Sequence, residues 1–197
     1  MRIDHVIYAT TNLDAASSWI EAQVGVEAVQ GGRHDGLGTK NRIVPLGGGY
    51  IELLAVDDPD SAARSTFGAA LTARIADVGD GLFGWATAVE DLEGTAERLG
   101  TAITTIRREG LSARLTGLAE AMREPCLPFF IQRDPGVPDP GAGGDAGGIT
   151  WIEVGGTAAR LKQWLGNEKL PVRTVDPRPR VHAVGIGDRE LRTSSPR

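Results

Sequence analysis

The sequence predicts an α+β protein in which repeated βαβββ modules form curved mixed sheets around a cleft. The order strand, helix, strand, strand, strand runs through residues 1–58 and begins again at residue 81. Leu13 and Leu92 hold the same place in the two predicted helices and lie 79 residues apart, which indicates a duplicated unit. Glycine, at 27 of the 197 residues, supplies the many turns that short strands need.

The first module, residues 1–58, opens with a β-rich run at residues 3–10. Asn12 is a suitable N-cap for the helix that follows, its apolar residues recur at helical spacing, and Gly25 is suited to end it. Glycine-rich stretches then separate three further predicted strands, at residues 26–30, 41–46 and 50–56.

The second module, residues 81–134, follows the same order. Its predicted helix ends at Gly100, and its predicted strands lie at residues 82–89, 102–107, 113–118 and 127–132, the last after a short helical piece at 119–123. Between the modules, residues 61–79 place Phe67, Leu71 and Ile75 on one face, which predicts a linker helix.

The last third of the chain repeats the pattern weakly. Residues 135–148 are rich in Pro, Gly and Asp, and they predict a flexible surface loop. Residues 149–197 are interpreted as a reduced third module of βαββ type that packs on the same domain, with strands at 149–154, 171–175 and 181–186.

Composition excludes several classes of function. A net charge of −5 and a pI near 5.3 disfavour nucleic acid as a partner. No apolar run has the length of about 18 residues that a membrane helix needs, so no membrane association and a cytoplasmic location are expected. Cys126 is the one cysteine, which excludes an internal disulfide and a cysteine-rich zinc cluster.

Two polar residues stand out inside apolar strands. Strand alternation places His5 on one face with Ile3 and Ile7, and Glu52 on one face with Tyr50. Burying an imidazole and a carboxylate is costly without partners, so they either hydrogen-bond each other or serve a site. For Glu52, pairing with Arg42 or Arg114 is the structural alternative.

Five segments carry a resemblance to a known family. They are IDHVIYAT (residues 3–10), GGRHDGLGTKNR (31–42), PLG with YIELLAV (45–56), GW (84–85) and LPFFIQ (127–132). These segments resemble the glyoxalase-like domain family of the vicinal oxygen chelate (glyoxalase/bleomycin resistance/dioxygenase) superfamily. The resemblance implies paired βαβββ modules around a pocket for a small molecule.

In the superfamily's metalloenzymes, which include glyoxalase I and the extradiol dioxygenases, a divalent metal is held by residues of the first and last strands of two modules. The resemblance carries those positions to His5, Gly84, Glu52 and Gln132. Only His5 and Glu52 are strong ligands, because glycine has no side chain and an amide oxygen binds transition metals weakly. A metal site for Zn, Ni, Mn or Fe would need a third ligand, with His34 the first candidate.

Further candidate contacts to a substrate lie near these positions. Arg33 and His34 occur among four glycines within residues 31–38, where backbone N–H groups and a guanidinium suit an anionic oxygen, although a surface hairpin is the structural alternative. Thr39 and Asn41 belong to the same segment. The candidates for the pocket wall and its rim are Tyr50, Trp85, Phe130 and Gln132.

The leading hypothesis is a glyoxalase-like enzyme, a lyase or an isomerase, in which His5 and Glu52 transfer a proton next to a carbonyl group or hold a metal. The alternative is a metal-free protein that binds or sequesters a small molecule, as the superfamily's drug-resistance proteins do. A third reading is a scaffold whose modules pair across subunits as a homodimer. Cys126 is assigned no role because no base lies near it in the sequence. His182 falls in the weak third module and is interpreted as structural or exposed.

Overall fold

A computed structural model of the chain describes residues 1–108 and 111–192. The first module contains strands β1 (Arg2–Ala9), β2 (Val29–His34), β3 (Thr39–Pro45) and β4 (Tyr50–Val56), with helix α1 (Leu13–Val24) after β1. Asn12 caps α1 through its side chain, which accepts from the N–H groups of Asp14 and Ala15, and Gly25 ends the helix in the left-handed conformation.

Two helices connect the modules, where the sequence predicts one. They are α2 (Pro59–Arg64) and α3 (Thr66–Val78). Ser65 separates them because its backbone is extended, with φ −104° and ψ 138°, and its hydroxyl accepts from the N–H of Gly68 to cap α3. The apolar face that predicted the helix is real, since Phe67 and Leu71 are buried.

The second module contains strands β5 (Gly81–Ala88), β6 (Ile103–Arg108), β7 (Leu111–Thr116) and β8 (Phe129–Arg133), with helices α4 (Leu92–Leu99) and α5 (Leu118–Arg123). All eight strands form one sheet in the order β2-β3-β4-β1-β5-β8-β7-β6, with β1 and β5 antiparallel at its centre. The sheet curls into a half-barrel, and its two outer strands approach where the N–H of Asp35 donates to the carbonyl of Arg107. The predicted fold class is thereby confirmed.

The two faces of this sheet bury different apolar clusters. The concave face packs Ile7, Leu54 and Phe129 with side chains of α3 and α5. The convex face packs Val6, Leu53 and Trp85 with side chains of α1 and of the last third of the chain. Because each strand alternates its side chains between the two faces, β1, β4 and β5 are buried along nearly their whole length.

A second sheet covers the convex face. It consists of β9 (Ile149–Gly155), β10 (Val172–Asp176), β11 (Val181–Ile186) and β12 (Arg189–Arg192), with helix α6 (Ala158–Leu165) between β9 and β10. Its order, β10-β9-β11-β12, differs from that of the first two modules, because β10 pairs directly with β9 in parallel. Strand β12 was absent from the sequence prediction, and residues 193–197 lie outside the described residues.

Residues 135–148 contain no helix or strand and are tied to the turn between β3 and β4. The N–H of Gly47 donates to the carbonyl of Gly141 at 2.8 Å, and the N–H of Gly148 donates to that of Leu46 at 2.8 Å. A Cβ on Gly144 would overlap the carbonyl oxygen of Pro45. Glycine is required there because two backbone segments touch. Among the described residues, no helix is long and apolar enough to cross a membrane.

We expect Gly144→Ala to lower the free energy of unfolding by about 1–3 kcal/mol, because the added methyl group meets rigid backbone. Urea denaturation measures the effect. Gly143→Ala is the matched control, since nothing lies within 4 Å of a Cβ at that position, and its change should stay within about 0.5 kcal/mol. Equal stability of the two variants would show that the close approach is absent.

Candidate functional site

A cavity of about 110 Å³ opens on the concave face of the eight-stranded sheet. Its polar lining groups come from β1, β2, β3, β4, β7 and β8, and they are His5, His34, Asn41, Tyr50, Glu52, Ser112 and Arg133. The remaining wall is mostly apolar and includes Leu37, Phe67, Ile106, Leu115, Leu118, Phe129, Ile131, Val137 and Pro140. A few polar groups in an apolar hollow are typical of a small-molecule site.

A β-bulge in β1 directs two adjacent side chains into this region. Against β5, Ile3 pairs with Thr87 while His5 pairs with the preceding residue, Ala86, so Asp4 is the extra residue. A bulge interrupts alternation, and Asp4 and His5 therefore meet each other, with 2.7 Å between Asp4 Oδ1 and His5 Nδ1. The predicted shared face of Ile3 and His5 is wrong for the same reason, since Ile3 packs on the convex side.

Asp4 is the centre of a buried ion pair. Arg133 donates through Nη1 to Asp4 Oδ2 at 2.5 Å and through Nη2 to Oδ1 at 2.7 Å, a two-pronged contact that fixes the guanidinium. Burial alone raises the pKa of the Asp4 carboxyl, but hydrogen bonds from Arg133 and His5 outweigh it and hold the pKa well below its usual range. The carboxylate is therefore ionised, and it only accepts hydrogen bonds.

His5 is oriented by this carboxylate. Because ionised Asp4 accepts, His5 Nδ1 carries the proton that it donates, and Nε2 faces Glu52 Oε2 at 3.6 Å. The imidazole stacks on the Tyr50 ring at a centroid distance of 4.6 Å, and Phe129 contacts it edge-on at 5.5 Å. The ring is thus held by one stacked and one edge-on aromatic neighbour, and its Nε2 is directed at the Glu52 carboxylate.

Tyr50 contacts both His5 and Arg133. Its phenol oxygen accepts from Arg133 Nη2 at 3.1 Å. Burial raises the pKa of Tyr50 well above its ordinary value, and the negative charges of Asp4 and Glu52 add to the rise. The phenol therefore keeps its proton.

Glu52 belongs to a second hydrogen-bond network, with Asn41 and His34. The Asn41 side-chain oxygen accepts from the N–H of Gly32 at 2.9 Å, so its amide nitrogen donates, both to Glu52 Oε1 and to His34 Nε2, the latter at 3.3 Å. His34 Nε2 also lies 3.6 Å from Glu52 Oε1. Thr39 is buried behind His34, and its hydroxyl lies 2.9 Å from His34 Nδ1.

The structure brings five of the predicted site residues to the cavity: His5, His34, Asn41, Tyr50 and Glu52. The structural alternative for Glu52 does not occur, since Arg42 pairs with Asp14 and Arg114 pairs with Glu93. Arg33 does not line the cavity. Its side chain is 75% exposed and pairs with Asp57 at 2.6 Å.

Three other predicted contacts point away from the cavity. Trp85 and Phe130 are fully buried in the convex cluster, where Trp85 Nε1 donates to the carbonyl of Cys126. Gln132 donates to the carbonyl of Glu90 and accepts from Arg114, because β8 directs Ile131 and Arg133 inward instead. The family resemblance assigned Gln132 to the site, and that assignment is wrong because alternation along β8 turns the side chain of residue 132 away from the cavity.

Sequence reasoning missed Asp4 and Arg133. Asp4 follows Ile3 in a run where simple alternation assigns it to the face opposite His5, and the bulge is not encoded by any glycine or proline nearby. Arg133 is one residue beyond the predicted end of its strand. The parity of the strand was the one signal available, because an inward Phe129 and Ile131 imply an inward residue 133.

The donor set fits a metal ion poorly. Within residues 1–108 and 111–192, no group of three or more His, Cys, Asp and Glu side chains is arranged to hold one. His5, His34 and Glu52 do converge, but the Asn41 amide donates to both Glu52 Oε1 and His34 Nε2. A metal would need those lone pairs. Gly84 contributes no ligand, and its nearest neighbour is the Met122 side chain.

A family model described as a glyoxalase-like domain matches residues 3–169. No curated protein sequence matches this chain.

Solved structures share the fold. A hypothetical protein from Staphylococcus aureus superposes with a TM-score of 0.72 at 19% identity, over 93% of this chain and 89% of that one. Methylmalonyl-CoA epimerase from Mycobacterium tuberculosis gives 0.50 at 20% identity, over 68% and 87%. A single-site variant of the Streptomyces coelicolor epimerase, in complex with 2-nitronate-propionyl-CoA, gives 0.51 at 21%, over 68% and 96%. At these identities the likeness extends to the fold alone.

We expect Asp4→Asn to lower the free energy of unfolding by about 3 kcal/mol at pH 7, because it leaves the buried Arg133 without its counter-charge. Asp4 has a lowered pKa in the folded state, so its contribution is present above the unfolded value near 3.9 and is lost as pH falls below it. The difference between wild type and variant should shrink by about 1 kcal/mol from pH 6 to pH 3.

Urea denaturation at several pH values measures this dependence. Asp14→Asn is the control, since that carboxylate is 85% exposed in its pair with Arg42 and should contribute less than about 1 kcal/mol. A pH-independent difference for Asp4→Asn would contradict an ionised, buried Asp4.

Proposed function

The chain belongs to the glyoxalase-like domain family, and we propose that it is a small-molecule enzyme, an isomerase or a lyase, that moves a proton at a carbon next to a carbonyl group. The observation that carries the proposal is the 3.6 Å approach of His5 Nε2 to Glu52 Oε2 in an apolar-walled cavity. Epimerases are isomerases, so this fold accommodates the proposed class of reaction in the solved neighbours.

Glu52 is the group that takes the proton. Its carboxylate removes a hydrogen from the carbon beside the carbonyl, the C–H electrons form a carbon–carbon double bond, and the carbonyl π electrons move to oxygen to give an enolate. The charge of the carboxylate thus passes to the substrate, and the net charge of the cavity stays constant. Apolar walls favour this step because they exclude the water that would compete for the proton.

His5 passes the proton on. Its Nε2 receives the proton from Glu52, and the imidazolium that results is stabilised by Asp4 on the other nitrogen. Return of the proton to the other face of the carbon, or to a neighbouring atom, completes an isomerisation. Arg133 holds Asp4 in place and thereby fixes the direction in which His5 acts.

Tyr50 is the donor for the enolate oxygen in this proposal. Arg133 donates to the phenol oxygen, and the phenol retains its proton because its pKa is raised. A fixed donor placed where negative charge develops is a common source of transition-state stabilisation. The tyrosine–arginine pair would therefore serve where the superfamily's metalloenzymes use a cation.

The second candidate function is a metal-free protein that binds a small molecule without changing it. The observation that favours it is the Asn41 amide, which already satisfies Glu52 Oε1 and His34 Nε2. The two candidates differ in one measurable respect, since only the enzyme exchanges substrate hydrogens with solvent.

We expect wild-type protein to exchange the C3 hydrogens of 4-methyl-2-oxopentanoate or its amide, 4-methyl-2-oxopentanamide, in D₂O faster than buffer does, as followed by proton NMR. Glu52→Gln should reduce the catalysed rate by about 10²–10⁴-fold, because an amide cannot take the proton. Glu93→Gln is the matched control, since Glu93 pairs with Arg114 at the surface. No exchange with either compound favours the binding protein.

Removal of metal tests the donor-set argument. We expect dialysis against EDTA to leave the exchange rate unchanged, because the Asn41 amide engages two of the three convergent side chains. Elemental analysis before and after dialysis is the accompanying measurement. Loss of exchange that Zn²⁺, Ni²⁺, Mn²⁺ or Fe²⁺ restores would contradict the proton-transfer scheme given above.

A further inference from the structure

The positive groups that face the cavity are already engaged with a carboxylate. Of the lining side chains in the described part of the chain, Arg133 is the one that always carries a positive charge. Both of its terminal nitrogens are held by Asp4, at 2.5 and 2.7 Å. His5 Nδ1 lies on the same carboxylate at 2.7 Å. A ligand anion therefore finds no guanidinium free for the two-pronged contact that carboxylates favour.

Glu52 places its carboxylate in the lining of the cavity itself, which Asp4 does not. Glu52 is only 10% exposed in its side chain, and its hydrogen-bond donor is the neutral amide of Asn41. An amide satisfies a lone pair but does not cancel a charge. Arg2 lies 3.8 Å from Asp4 Oδ2, but its side chain is half exposed and its charge is paired with Asp139 at 2.7 Å. Asp4 and Glu52 together thus outweigh Arg133, and a ligand carboxylate would lie close to Glu52 in a partly desolvated space, where like charges repel more strongly than in water.

The cations of the glycine-rich segment do not change this balance. Arg33 and Lys40 both pair with Asp57, at 2.6 and 3.1 Å, on the outside of the hairpin formed by β2 and β3. Neither residue lines the cavity. The sequence suggested that Arg33 binds an anionic group of the ligand, but its guanidinium pairs with Asp57 and does not reach the cavity.

The rest of the wall favours hydrocarbon. Phe67, Leu115 and Ile131 are buried lining residues that come from α3, β7 and β8. Contact with such a surface gains free energy in proportion to the apolar area that leaves water. The apolar wall favours a ligand with an apolar chain, and the excess negative charge near Glu52 favours a ligand whose reacting end is uncharged.

We propose that the cavity takes an uncharged carbonyl compound with an apolar chain and discriminates against the carboxylate of the same shape. The inference deepens the proposed function and rests on it for the carbonyl group alone. The preference between neutral and anionic ligands is a property of binding, so it is measurable whether or not a reaction follows.

The matched probes are 4-methyl-2-oxopentanamide and 4-methyl-2-oxopentanoate, which differ in charge and hardly in size. Dissociation constants are measured by isothermal titration calorimetry with the full chain at pH 8, above the usual titration range of imidazole. We expect the amide to bind at least about tenfold more tightly than the oxoacid. Equal or tighter binding of the oxoacid overturns the inference, and so does failure of the amide to bind.

Two variants locate the source of the discrimination. Glu52→Gln removes the unbalanced charge while keeping the shape, and it should narrow the ratio of dissociation constants by about threefold or more. Asp57→Asn removes a carboxylate outside the cavity and should leave the ratio unchanged. An unchanged ratio in Glu52→Gln overturns the inference as well.

The outcomes separate this inference from the proposed function. If the protein prefers the amide to the oxoacid but catalyses no hydrogen exchange, it is a binding protein for the proposed ligand class, and only the proposed reaction fails. If hydrogen exchange occurs but the oxoacid binds as tightly as the amide, the proposed reaction stands and the proposed ligand class fails.

Discussion

The ion pair between Asp4 and Arg133 is the contact on which the site depends. It joins the first strand of one module to the last strand of the other across the concave face, and it is nearly shielded from water. Both the orientation of His5 and the environment of the Tyr50 phenol follow from it, because each residue bonds directly to one partner of the pair. The bulge in β1 makes this contact reachable, since regular alternation would have turned Asp4 to the convex face.

The duplicated architecture explains why a cavity exists at that place. Strands β1 and β5 lie side by side at the centre of the sheet, so each module contributes half of the concave face. Helices α3 and α5 fill part of the hollow with Phe67 and Met122. The second sheet buries the convex face, which leaves the inner face as the side where polar groups gather.

Local chemistry was predictable from the sequence, and long-range register was not. Asn12 and Gly25 mark the ends of α1 by their own side-chain and backbone preferences, and the β-branched and apolar run at Tyr50–Val56 coincides with β4. By contrast, β2 begins at Val29 and runs through Gly31 and Gly32, which carry no side-chain pattern to announce a strand. These residues form a strand because they pair with β3, and that pairing depends on the tertiary structure and not on the local sequence.

The same limit applies to the site. His5, Tyr50 and Glu52 were accessible to strand parity, because His5 shares its face with Ile7 and Glu52 shares its face with Tyr50. His34 and Asn41 were accessible through the family resemblance of their segment alone. Trp85 and Phe130 were misplaced because the sequence pattern of a large aromatic residue is the same on either side of a sheet that is buried on both faces.

The two outer strands of the sheet also contact each other. The N–H of Asp35, directly after β2, donates to the carbonyl of Arg107 in β6, and such a backbone hydrogen bond contributes about 1 kcal/mol to stability. The two modules therefore meet at the centre of the sheet, through β1 and β5, and again at this outer contact, so the walls of the cavity are held on two sides.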